Sequence, residues 1–147
     1  MAVAVVVLML IGNASLADDR RAHVNYMLHC QGCHLPDARG LEGKVPPIKD
    51  FAGYFLHSQE GRAFLIRVPG VAHAALNNTE ITEMMNWLLR SFSVEQLPDE
   101  FVPFTVAEVA QLRLDPETDP DGTRTVILAN IATVLPSLAA ELINEDQ

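Results

Sequence analysis

The feature that most constrains this 147-residue chain is the pentapeptide Cys30-Gln31-Gly32-Cys33-His34. The chain contains two cysteines in all, and both lie in this segment, three positions apart. Two cysteines are too few for a disulfide-stabilised scaffold or for an all-cysteine zinc site. Any chemistry that uses the thiols of this chain therefore takes place within this one pentapeptide.

The C-x-x-C-H pattern is typical of covalent attachment of a c-type haem. On a helical turn, Cys30 and Cys33 can each form a thioether to one haem edge, and the His34 imidazole then binds the iron as proximal ligand. Gly32 leaves room for the macrocycle beside the backbone. The alternatives are a thioredoxin-type disulfide, which needs a βαβ setting, and a metal site, which needs further ligands. The pattern favours one covalently bound haem c.

Residues 1–17 have the pattern of a secretory signal peptide. An apolar run from Ala2 to Ile11 is followed by the small-x-small sequence Ser15-Leu16-Ala17, after which charged residues begin. We predict cleavage after Ala17, export to the periplasm and no transmembrane span in the mature chain. No Lys or Arg precedes the apolar run, so an uncleaved N-terminal anchor is the alternative.

Helical periodicity dominates the rest of the chain. From Thr79 to Phe92, apolar residues recur at the spacing of one helix face. Thr105 and Glu108 form a capping-box pattern that predicts a helix to about Leu114. We also predict helices over 19–30, 58–66 and 125–143, the last interrupted at Pro136, an irregular loop over 35–53, and a turn-rich connector over 115–124. Strand patterns are weak, so the predicted fold class is all-α.

Charge is distributed unevenly along the chain, whose formal net charge is −9. Residues 18–92 carry eight basic and eight acidic side chains, whereas residues 93–147 carry two basic and eleven acidic ones. An acidic protein is a poor match for nucleic acid or an anionic membrane. We predict a haem domain over 18–92 and an acidic helical C-terminal extension over 93–147, which is either solvated or faces a partner.

Residues 20–92 resemble class I c-type cytochromes beyond the pentapeptide. Tyr26 matches the aromatic residue on the helix before the motif, and Asn86–Leu89 (NWLL) matches the aromatic-plus-leucine end of the last helix. Pro46 or Pro47 matches the loop proline whose carbonyl accepts a hydrogen bond from the proximal imidazole. The resemblance implies a class I cytochrome c-like helical domain around one covalent haem.

The same resemblance assigns roles to the last helix of the haem domain. It implies that Trp87 contacts the first helix, while Met84 and Leu88 face the haem edge. In the family, a methionine in the loop before this helix usually supplies the sixth iron ligand. This sequence has no methionine between Met27 and Met84.

The sixth ligand therefore has three open alternatives. Within residues 67–76, His73 is the one side chain able to bind iron, which would give bis-histidine ligation. Met84 or Met85 is the second alternative, although methionines at helical spacing also pack well in a core. The third is an open or water-bound iron, which would admit small diatomic ligands.

The sequence favours an electron carrier over an enzyme, because no defensible catalytic arrangement is present. The expected partners are periplasmic redox proteins, a donor dehydrogenase and an acceptor oxidase or cytochrome, and the chain is alternatively the haem subunit of such a dehydrogenase. The other functional class is a haem-based small-ligand sensor or catalyst with an open sixth position. His57 and Arg67 are then the candidate distal polar groups.

Overall fold

The computed structural model describes residues 18–145, and over this range the fold is all-α, as the sequence predicts. An isolated antiparallel bridge between Leu41 and Val45 is the one β pairing in that range. The predicted signal peptide and its cleavage site lie outside the described residues. No helix between residues 18 and 145 is both long and apolar enough to cross a membrane.

Eight α-helices and two short 3-10 helices lie within the described range. The α-helices are α1 (18–29), α2 (Gln31–His34), α3 (Gln59–Arg67), α4 (Pro69–Ala72), α5 (Asn78–Phe92), α6 (Val106–Leu112), α7 (Pro120–Ala132) and α8 (Pro136–Glu145). The first 3-10 helix is Ala52–His57 and the second is Val94–Gln96.

Two helices begin at capping boxes. At the start of α5 the Asn77 side chain accepts a hydrogen bond from the Glu80 amide, and the Glu80 carboxylate accepts one from the Asn77 amide. Thr105 and Glu108 form the same reciprocal pair at the start of α6, which confirms the predicted box. Both boxes satisfy amides that have no partner within the helix.

Three prolines stand at the first position of a helix. Pro69 begins α4 and Pro136 begins α8. Pro120 begins α7, whose N-cap Asp119 accepts a hydrogen bond from the Gly122 amide, so half of the predicted connector is helical. Proline suits the first helical position because its missing N–H needs no partner there and its φ angle is already helical.

The larger apolar core, the first cluster, lies between α1, α5 and α6. It joins the helices before residue 93 to the residues after it, because Phe104 and Val109 belong to it, and the half-buried Cys30 packs against it. Its buried members are Ala22, Tyr26, Ala38, Ala52, Ile66, Ile81, Met84, Met85, Leu88, Leu89, Phe104 and Val109.

The second cluster lies where α7 packs on α3 and on the first 3-10 helix. It holds most of the aromatic side chains of the middle of the chain and is closed by aliphatic residues of α7 and α8. Its buried members are Phe51, Tyr54, Phe55, Phe64, Ile127, Leu128, Ile131 and Leu138. The apolar tail helices therefore pack against the body of the protein.

Two polar links hold the start of the extension against α3 and α5. The buried Asn86 side chain donates to the Phe104 carbonyl at 2.9 Å and accepts from the Phe104 amide at 2.8 Å. The Arg62 guanidinium binds both carboxylate oxygens of Glu108, at 2.6 and 2.9 Å, and donates to the carbonyls of Val102 and Pro103. These links fix the approach to α6 on α3 and α5.

Candidate haem-attachment site

The C-x-x-C-H motif forms a single helical turn at the end of α1. The Cys30 amide donates to the Tyr26 carbonyl at 2.9 Å, and the His34 amide donates to the Cys30 carbonyl at 2.9 Å. Cys30 is half-buried, Cys33 is exposed, and both are free thiols. A Cβ on Gly32 would meet no atom within 4 Å, so the backbone beside it is open. Both thiols therefore lie on one turn, beside an open stretch of backbone.

Tyr26 ties the two ends of the motif together. Its ring is fully buried, and its hydroxyl donates to the Leu35 carbonyl at 2.6 Å. Leu35 has φ 67°, a left-handed conformation that is costly for a residue with a side chain. The Trp87 ring lies 5.8 Å from that of Tyr26 and 5.1 Å from that of His23, so the aromatic residue of α5 contacts α1.

The His34 imidazole faces the loop that contains Pro46. Burial lowers the pKa of His34, and the Pro46 carbonyl opposes that shift in part. The Pro46 carbonyl is near the ring but does not reach hydrogen-bond geometry, so Nδ1 is buried without a partner. A neutral imidazole is the form that binds iron. Pro46, rather than Pro47, is thus the proline beside the imidazole.

The environment of Cys30 argues against a redox-active disulfide. Burial, followed by the neighbouring Cys33, raises the pKa of the Cys30 thiol to about 11, whereas reactive C-x-x-C thiols have lowered pKa values. The Cys30 Sγ lies 3.8 Å from the Met84 Sδ in the first cluster. The described residues also contain no group of three or more side chains able to hold a metal ion. The donor set and the buried imidazole nitrogen fit a haem.

The candidate sixth ligands have different surroundings. His73 is exposed and follows directly after α4, in the segment that connects α4 to α5. Met84 and Met85 are 1% and 5% exposed and are packed in the first cluster. Ligation by His73 would therefore leave the core packed, whereas ligation by either methionine would require that side chain to leave the first cluster.

The two candidate distal polar groups are engaged elsewhere. The His57 Nε2 lies 3.0 Å from the Gln96 carbonyl oxygen. The Arg67 guanidinium donates to the Asp115 carbonyl at 2.7 Å and pairs with the Asp115 carboxylate at 2.9 Å. The structure brings neither side chain to the Cys30–His34 turn.

Comparison with known proteins points to the same chemistry. A cytochrome c-552 of Thermus thermophilus is 27% identical in an alignment 123 positions long, which covers 71% of this chain and 82% of that protein. A second cytochrome c-552 of Thermus thermophilus is 28% identical in an alignment 102 positions long, which covers 57% of this chain and 78% of that protein. These relatives suggest a c-type cytochrome. No family model matches the chain, and no solved structure matches it significantly.

The similarity to the first cytochrome c-552 extends into the C-terminal extension. A coverage of 71% is about 104 residues of this chain, more than the residues that precede Ser93. At least part of the extension therefore belongs to the matched sequence. This agrees with the packing of Phe104 and Val109 in the first cluster.

Sequence reasoning missed two residues that shape the surroundings of the site. Asn86 holds the backbone of Phe104, and Arg113 binds the segment around His73 from the C-terminal end of α6. A signal for Arg113 was present, because it is one of two basic residues after Ser93 in an acidic segment. Its partners are mostly backbone carbonyls, which a sequence pattern does not reveal.

Proposed function

We propose that this chain is an exported monohaem c-type cytochrome that carries single electrons between periplasmic redox proteins. The observation that carries the proposal is the turn itself: Cys30, Cys33 and His34 lie on one turn, with the half-buried imidazole beside Pro46. The pattern of residues 1–17 supports export. The relatives named cytochrome c-552 support the class of protein.

Each residue of the turn has a separate task in this proposal. Cys30 and Cys33 would hold the haem by thioether bonds, and His34 would supply an iron ligand. The haem supplies a reversible one-electron couple. The chain's own contribution would be to hold the two thiols and the imidazole on one turn, with Cys30 packed beside Met84 of the first cluster and Cys33 exposed to solvent.

His73 is the proposed distal ligand. It is the iron-binding side chain of the α4–α5 segment, and that segment packs through Ala74 and Leu76 on the same cluster as Cys30. Bis-histidine ligation closes the iron to exogenous ligands and suits electron transfer. The contacts of His57 and Arg67 also favour a carrier, because a haem catalyst needs distal polar groups at the iron.

Covalent attachment is tested first, on the holoprotein matured with haem. We expect the wild-type chain to keep its haem through acid–acetone extraction. Single replacements Cys30→Ala and Cys33→Ala should weaken retention, and the double replacement should abolish it. Haem retained by the double variant would contradict the attachment site.

Ligation is tested by visible spectra of the ferric and ferrous protein with and without carbon monoxide. We expect a six-coordinate low-spin spectrum that carbon monoxide leaves unchanged, and a change of spin state in His73→Ala. A near-infrared methionine-to-iron band would assign Met84 or Met85 instead. A high-spin iron that binds carbon monoxide in the wild type would favour the small-ligand sensor or catalyst.

A further inference from the structure

Arg113 makes an unusual set of contacts with the segment that contains His73. Its Nε donates to the Ala72 carbonyl at 3.1 Å, and its Nη2 donates to the Ala74 carbonyl at 2.9 Å. Its Nη1 donates to the Leu76 carbonyl at 3.0 Å and to the Asn78 Oδ1 at 2.8 Å. One planar guanidinium thus spans the whole connection between α4 and α5.

All four acceptors are neutral oxygens, so these contacts set geometry rather than pair charges. The carbonyls alternate along the chain at positions 72, 74 and 76, and the first two flank His73. The guanidinium is a rigid fork of donors, which loses little freedom on binding several acceptors at once. The backbone on both sides of His73 is therefore held to a single group on the C-terminal extension.

We propose that Arg113 is a positioning residue for the sixth iron ligand, fixing the 72–78 segment so that His73 binds the haem iron. This inference rests on the proposed function, since it needs a haem held by Cys30, Cys33 and His34. Under this proposal, the start of the C-terminal extension positions an iron ligand in addition to covering apolar surface.

Arg62 provides a matched control for Arg113. It joins the same part of the extension to the haem domain by a comparable set of contacts, with Glu108 and with the carbonyls of Val102 and Pro103. None of these contacts reaches residues 72–78. Loss of Arg62 loosens the attachment of the extension, whereas loss of Arg113 also releases the segment that contains His73.

The test uses purified holoproteins: wild type, Arg113→Ala, Arg113→Lys and Arg62→Ala. We expect Arg113→Ala to gain high-spin character and to bind carbon monoxide in the ferrous state with an apparent affinity on the order of tenfold to hundredfold higher, as expected when several hydrogen bonds that hold one state are lost. Arg113→Lys keeps the charge but not the fork, so it should fall between wild type and Arg113→Ala. Arg62→Ala should keep the wild-type spectrum.

Three results would overturn the inference. The first is a wild-type spectrum and carbon monoxide response in both Arg113 variants. The second is an equal change in Arg62→Ala, which would mean that any loosening of the extension has this effect. The third is an open iron in the wild type, which leaves no ligand to position. A failure of the proposed function would show in a different experiment, because a chain without covalently bound haem loses its haem during acid–acetone extraction.

If Arg113→Ala does not yield holoprotein, Arg113→Lys decides the question together with hydrogen exchange. We expect the amides of residues 73–78 to exchange faster in Arg113→Lys than in Arg62→Ala, with unchanged protection in α1. Equal exchange rates in the two variants at this segment would contradict the inference.

Discussion

At the scale of single residues, the loop between the haem motif and the first 3-10 helix depends on glycines with positive φ. Gly40 has φ 71° and Gly43 has φ 65°. A Cβ on Gly40 would overlap the Val45 carbonyl oxygen and lie 2.8 Å from that of Pro46, whereas a Cβ on Gly43 would meet nothing within 4 Å. The absence of a side chain at Gly40 thus allows the backbone of Pro46 to pack close by, which places Pro46 beside His34.

We expect Gly40→Ala to destabilise the protein far more than Gly43→Ala. Both changes force a side chain into the left-handed region, at about 1–2 kcal/mol. Gly40→Ala adds steric overlap with the backbone, for a total of roughly 3 kcal/mol or more. Denaturant unfolding of the two variants measures the difference. Equal losses would mean that Gly40 is needed only for its φ angle.

Tyr26 provides the second test at this scale. We expect Tyr26→Phe to lower the free energy of unfolding by about 1 kcal/mol, because the Leu35 carbonyl loses its hydroxyl donor while the ring stays in place. Tyr54→Phe is the matched control, since the Tyr54 ring lies in the second cluster, away from the motif. Urea midpoints that shift equally in both variants would remove the special role of Tyr26.

At the scale of helices, α6 is held on α3 by an ion pair that responds to pH. The hydrogen bond from Arg62 is the main cause that lowers the pKa of Glu108. A carboxylate with a lowered folded pKa stabilises the fold above its unfolded pKa, which is about 4.3 for glutamate. That contribution is lost as the pH falls through the lower, folded value.

We expect Glu108→Gln to be less stable than the wild type by about 1 kcal/mol near pH 7, because the charge is removed. Glutamine still serves the capping box with Thr105, so the start of α6 is kept. The difference should begin to shrink as the pH falls below the unfolded pKa of about 4.3, and it should vanish below the lowered folded pKa, where Glu108 is protonated in both states. Unfolding measured between about pH 7 and pH 3 tests this, with Glu95→Gln as an exposed control. A difference that does not depend on pH would contradict the assignment.

At the scale of the whole molecule, the fold class and the motif were predictable because both depend on local patterns. The apolar stripe of α5, the Thr105–Glu108 capping box and the C-x-x-C-H turn are each contained in a few neighbouring residues. The start of α7 lies five residues earlier than predicted, because proline ends one helix and begins another equally well. Local sequence does not distinguish these two roles.

The contacts that organise the site could not be predicted, because they join distant parts of the chain. Arg113 binds carbonyls 37 to 41 positions earlier in sequence, and Arg62 binds Glu108 46 positions later. Backbone carbonyls carry no residue identity, so no pattern marks them as partners. The boundary predicted at residue 93 marks a change in charge along the chain. The first cluster, however, contains buried side chains from both sides of that boundary.

The two clusters predict different outcomes for two truncations. A chain that ends at residue 116 lacks α7 and α8 and uncovers the second cluster, but it keeps Phe104, Val109 and Arg113. Removing Ile127, Leu128, Ile131 and Leu138 costs about 1.5–3 kcal/mol for each buried side chain. We therefore expect lower stability and binding of a hydrophobic dye, with covalent haem and its low-spin spectrum unchanged.

A chain that ends at residue 98 also uncovers the first cluster and releases the 72–78 segment, so its iron should bind carbon monoxide. Thermal unfolding and visible spectra of both holoproteins test this, and a carbon monoxide response already present at residue 116 would mean that α7 and α8 also hold the sixth ligand.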